Sequence, residues 1–76
     1  MFPRITHDPA VLSGKPCVRG TRLSVEFILE LIASGGTPNE IIGKYPQLAR
    51  VDIEEAVRYA AFVLKSSAVI QTRAAG

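Results

Sequence analysis

Nine consecutive residues concentrate most of what this chain offers for chemistry: Gly14-Lys15-Pro16-Cys17-Val18-Arg19-Gly20-Thr21-Arg22. They hold two glycines, a proline, three cations and the only cysteine. Gly14 and Gly20 reach positive φ at little cost, and Pro16 fixes its own φ. The segment therefore reads as a stiff turn, a short strand at Cys17-Val18 and a second turn. Such a loop either joins two parts of a fold or presents cations to an anionic partner. Arg22 has the same two options: it meets phosphate, or it ties the loop to Glu26, Glu54 or a carbonyl. Catalytic constellations are missing. His7 stands beside Asp8, but no nucleophile and orienting group complete a dyad or triad, so it reads as a surface residue. Cys17 has no companion for a disulfide or a metal and reads as a small buried hydrophobe. Gly14-Lys15 lacks the spacing of a phosphate-binding P-loop. The expectation is a protein that is not an enzyme and needs no cofactor.

Charge is distributed more tellingly than its sum of +2 indicates. Residues 1–22 carry Arg4, Lys15, Arg19 and Arg22 against Asp8, a net +3. Residues 23–55 carry six carboxylates against Lys44 and Arg50, a net −4, and Arg58, Lys65 and Arg73 return the last stretch to +3. An anionic partner is drawn to the two ends and repelled by the middle.

The elements that must position these groups are legible from spacing and caps. Arg4-Ile5-Thr6-His7 predicts a short strand with Ile5 facing inward, turned by Asp8-Pro9 and meeting Cys17-Val18 in a hairpin-like contact. Ser24 caps a first helix, in which Val25, Ile28, Leu29 and Ile32 recur at 3–4 spacing until Gly35-Gly36 stops it. Thr37-Pro38-Asn39-Glu40 is a capping box opening a second helix of about two turns, ended near Tyr45 by Pro46. Tyr45-Pro46 and Leu48 should pack the turn that follows. Asp52-Ile53-Glu54-Glu55 reads as the capping box of a third helix. Its apolar face is Ile53, Ala56, Val57, Ala60, Ala61 and Leu64, as far as Lys65.

Length and composition bound the rest. Seventy-six residues, 47% hydrophobic and 21% charged, make one globular domain. It is organised as an arm with a short β element (1–22), a three-helix unit (23–67) and a tail (68–76). A chain this small buries only about 60% of its unfolded surface, and Phe62, Val63, Val69 and Ile70 exceed what one three-helix core can hold. Both points predict a homodimer. No apolar run spans a membrane, and Met1-Phe2-Pro3-Arg4 lacks the apolar core of a signal peptide. A cytoplasmic protein is the expectation.

A helix, a two-turn helix, a short linker and a longer helix is the outline of a helix-turn-helix domain. The alternative on spacing alone is a three-helix bundle with no nucleic-acid role. The ordered motifs Arg4-Ile5, Asp8-Pro9, Gly14-Lys15-Pro16, Gly20-Thr21-Arg22, Gly35, Glu40-Ile41, Tyr45-Pro46-Gln47-Leu48 and Ala56…Tyr59-Ala60 resemble a small bacterial domain-of-unknown-function family, number four-three-three. That resemblance covers about residues 4–65. It implies a mainly α, homeodomain-like helix-turn-helix fold behind a short N-terminal β element. It also implies a VapB-like antitoxin that represses transcription and pairs with a PIN-like nuclease toxin.

By that analogy the third helix would read DNA. Its first turn carries Asp52, Glu54 and Glu55, which repel phosphate, so only Arg50 and Arg58 help there. Arg4, Lys15, Arg19 and Arg22 are then the better candidates for phosphate contact. The acidic middle allows a second reading, an interaction module that sequesters a nuclease with little or no DNA binding. Glu26, Glu30, Glu54 and Glu55 would meet the nuclease's basic site, and Phe62, Val63, Val69 and Ile70 would supply apolar contact.

Overall fold

A computed structural model describes residues 1–66 of the chain. Two short strands precede three helices: β1 (Ile5–Thr6), β2 (Cys17–Val18), α1 (Val25–Ala33), α2 (Pro38–Lys44) and α3 (Arg50–Ser66). Val69 and Ile70, with the rest of the tail, lie outside the described residues.

The basic loop folds around β2. β1 and β2 pair antiparallel, Ile5 opposite Val18 and Thr6 opposite Cys17, as the hairpin-like expectation had it. On its other edge β2 meets the entry to α1: Cys17 bridges Ser24, and the Val18 amide donates to the Leu23 carbonyl at 3.0 Å. Flanked on both sides, Cys17 and Val18 are buried. The reversal runs through Val18-Arg19-Gly20-Thr21, closed by the Thr21 amide on the Val18 carbonyl at 3.0 Å. Gly20 sits at φ +79, the third position of a type II turn, where a side chain would be strained. The Thr21 hydroxyl then locks the loop, donating to the Val18 carbonyl at 2.8 Å and accepting from the Leu23 amide at 3.0 Å.

Helix limits follow their caps. The Ser24 hydroxyl accepts from the Phe27 amide at 3.0 Å. α1 ends in a Schellman motif: the Gly36 amide donates to Leu31 and the Gly35 amide to Ile32, both at 2.9 Å, with Gly35 at φ +97. α2 begins with the complete Thr37–Glu40 capping box and Pro38 in its first turn. α3 corrects the expectation, because it begins at Arg50 rather than after an Asp52 cap. The Ala49 carbonyl accepts from the Asp52 and Ile53 amides, so Ala49 holds the capping position. Asp52 takes the reciprocal role, its carboxylate accepting from the Ala49 amide at 2.8 Å.

The core gathers one or two residues from every element: Ile5, Val18, Val25, Ile28, Ile41, Leu48, Ile53 and Ala56. Tyr45 packs against it and stacks edge-on to Phe27 at 5.5 Å between centroids, while Pro46 stays exposed. The buried strip of α3 is narrower and shorter than its apolar spacing predicts. Ile53 and Ala56 are buried and Ala60 partly so. Val57, Ala61 and Leu64 face outward, Leu64 with 63% of its surface exposed. The body packed against α3 covers one side of its first half, and the last turns extend past it.

Candidate nucleic-acid interface

The N-terminal arm meets the start of α3 through charge. The Arg4 guanidinium lies 2.9 Å from one oxygen of Asp52, and the Arg4 backbone amide donates to Glu55 at 2.6 Å. Asp52 and Glu55 are both buried, which inverts the expectation that they front solvent. They are three residues apart, as are Ile53 and Ala56, so the two pairs line adjoining strips of one helix face. Each buried carboxylate is hydrogen-bonded, as burial of a charge requires.

The first turns of α3 consequently show solvent Arg50, Val51, Glu54, Val57 and Arg58. Two cations stand there against one carboxylate. Arg50 donates to the Asn39 side chain of α2 at 2.9 Å, linking the two helices. Arg58 forms no side-chain hydrogen bond or ion pair among the described residues. Arg19 joins this end of the molecule through the sheet: its amide donates to the Arg4 carbonyl at 2.7 Å, and its Nε to the Pro3 carbonyl at 2.9 Å.

The other expected cations sit elsewhere. Lys15 and Arg22 line a separate concavity with Leu12, Ser13, Leu23, Ser24 and Phe27. Lys15 pairs with Glu26 at 3.3 Å, both side chains more than half exposed, so the pair contributes little. Arg22 is exposed and reaches none of the partners weighed for it. The six candidates therefore divide. Arg4 is held by Asp52, Arg19 lies beside that clamp, Arg50 is tied to Asn39 of α2, Arg58 follows two turns along α3, and Lys15 and Arg22 flank α1.

The remaining site candidates lie on other parts of the surface. Glu26 and Glu30, four residues apart on α1, are exposed. Phe62 stacks at 5.3 Å against Phe2 while remaining 43% exposed, and Val63 is exposed. His7 bridges the arm, the basic loop and α3. Its Nδ1 lies 3.4 Å from the Gly14 carbonyl and its Nε2 3.2 Å from the Tyr59 hydroxyl. Cys17 is 1% exposed, with its thiol toward the Lys15 carbonyl. Among the described residues no cluster of His, Cys, Asp and Glu could hold a metal, and no helix is long and apolar enough to cross a membrane.

A family model described as "Protein of unknown function (DUF433)" matches residues 5–60. The chain belongs to this family. The matched span holds Lys15, Arg19, Arg22, Arg50 and Arg58 together with Asp52 and Glu55, while Arg4 stands one residue ahead of it. No curated protein and no solved structure matches the chain.

Sequence reasoning missed the Arg4–Asp52–Glu55 clamp because its partners lie 48 and 51 residues apart. The available signal was the 52/53/55/56 spacing, which sets both acids on the border of the apolar face.

Proposed function

We propose that this chain is an antitoxin-like regulator: a cytoplasmic, homodimeric helix-turn-helix protein that binds operator DNA and pairs with a PIN-like nuclease toxin. The observation that carries the DNA reading is the inward turn of Asp52 and Glu55. It removes from the outer face of α3 two of the three carboxylates that would repel a phosphate backbone. α2 and α3, joined by residues 45–49, form the helix pair, with the first turn of α3 in the major groove. Arg19, Arg50 and Arg58 contact phosphate, Arg22 extends that contact from the loop, and Arg4 holds the arm in place. Lys15 is a secondary phosphate contact, since Glu26 shares its charge.

Operator affinity measured against salt tests this. Each phosphate contact contributes about 0.9 to the slope of log affinity on log salt. Replacing Arg19 and Arg22 together by alanine should flatten the slope by about 2. An unchanged slope refutes the assignment.

Toxin pairing rests on the family resemblance. Co-expression with the adjacent gene product should give a co-purifying complex, and its absence refutes the pairing. The exposed carboxylates of Glu26 and Glu30, one turn apart, favour one further reading: a module that covers a nuclease's basic site with little or no DNA binding. A retained complex without any gel shift on the upstream DNA would select it.

A further inference from the structure

The outer strip of α3 is self-complementary. Val57, Ala61 and Leu64 recur at i, i+4, i+7, bordering the side of the helix that holds Ile53 and running past the body that covers it, and are exposed. Val57 lines an apolar groove with Ile32, Pro38 and Ile53, whereas Leu64 projects, 63% exposed. Groove and projection straddle Ala61, four residues before it and three after. We infer that this strip seats the same strip of a second copy, antiparallel, with the twofold axis at Ala61. The inference rests on the dimeric state proposed above and names its surface.

Three features select a second copy over an unrelated partner. A twofold interface pairs each feature on one subunit with its complement at equal distance across the axis. Here Leu64 of each copy enters the other's Val57 groove. Ala61 is small enough to let the helices approach closely at the crossing. The charged flank is compatible only with antiparallel pairing, which brings that flank against itself. Glu54, about 10 Å from the axis at 1.5 Å per residue, then meets the partner's lysine at position 65, about 6 Å from it. The difference of about 4 Å lies within the reach of a lysine side chain.

Sedimentation of the full chain at micromolar to millimolar concentration is the test. The wild type should be a dimer. Leu64→Asp should weaken association by on the order of a hundredfold, since it removes a buried leucine and adds a charge. Ala61→Glu should do the same by setting two carboxylates face to face, and both variants should keep wild-type circular dichroism. Leu12→Asp, at an exposed leucine far from this strip in sequence, should remain dimeric. Ala61→Cys should oxidise to a covalent dimer, because the native Cys17 is buried. A wild-type monomer throughout overturns both the dimer and its surface. A dimer that survives Leu64→Asp and Ala61→Glu overturns the surface alone. Neither outcome depends on DNA, so gel shifts judge the regulatory reading separately.

Discussion

Replacing Asp52 by alanine removes the acceptor shared by the Ala49 amide at 2.8 Å and the Arg4 guanidinium at 2.9 Å. The first loss leaves a helix-start amide unsatisfied, at about 1 kcal/mol. The second is an ion pair whose acid side chain is only 9% exposed but whose arginine is 47% exposed. Solvent screening on the arginine side limits that contribution to about 1 kcal/mol. Asp52→Ala should therefore cost about 2 kcal/mol, lowering the melting temperature of a domain this size by about 10 °C. Urea denaturation followed at 222 nm measures it. A double-mutant cycle with Arg4→Ala separates the two parts and should return a coupling of about 0.5–1 kcal/mol. The helix-start contribution should persist without Arg4. A cost below about 0.5 kcal/mol for Asp52→Ala would mean that the acid fronts solvent, and costs additive within about 0.3 kcal/mol would mean that Arg4 does not hold it. The first result removes the observation on which the DNA reading stands, and the second removes the clamp on the arm.

Three further outcomes test the frame. Gly36→Ala should destabilise by about 1–3 kcal/mol, because an added Cβ would lie 2.9 Å from the Leu31 carbonyl oxygen and force a backbone shift; thermal melts report it. Thr21→Val should cost about 1–2 kcal/mol through two lost hydrogen bonds in the basic loop. Hydrogen exchange at the Leu23 amide should accelerate in the same variant, and an unchanged rate would refute the lock. Ile28→Ala empties the most buried isoleucine of the core, 0% exposed, and should cost about 3–4 kcal/mol. A domain with so small a core should then be partly unfolded at 37 °C, visible as lost helical signal.

Where a cap and its recipient lie within four residues, the sequence told the structure directly. Ser24, the Thr37–Glu40 box and the Gly35-Gly36 stop act at their expected positions. The β element was equally legible, since Ile5 and Cys17-Val18 are short apolar pieces bounded by turn-forming residues. The start of α3 was not. Asp52 followed by Glu55 satisfies the grammar of a cap as well as that of an inner acceptor, and an arginine 48 residues away decides between them. The outward Val57, Ala61 and Leu64 were misread for a different reason. A periodic strip records which side of a helix is apolar, but the length of the body packed against it sets how much is covered. The candidate cations could be named by type but not grouped, because only tertiary pairing separates Arg4 and Arg19 from Lys15 and Arg22.

The arm's attachment also sets an order of events during synthesis. Arg4 leaves the ribosome first, yet its partners Asp52 and Glu55 follow about 50 residues later. Until α3 emerges, β1 has β2 to pair with but nothing to pack upon, and a two-strand ribbon alone is marginal. α1 and α2 can close their local bonds early, while the arm must wait for α3. Docking should therefore be the late, slow step, limited by closure of a long loop. A chain shortened from its first residues loses more than a strand. It strands two carboxylates in the interior without their arginine.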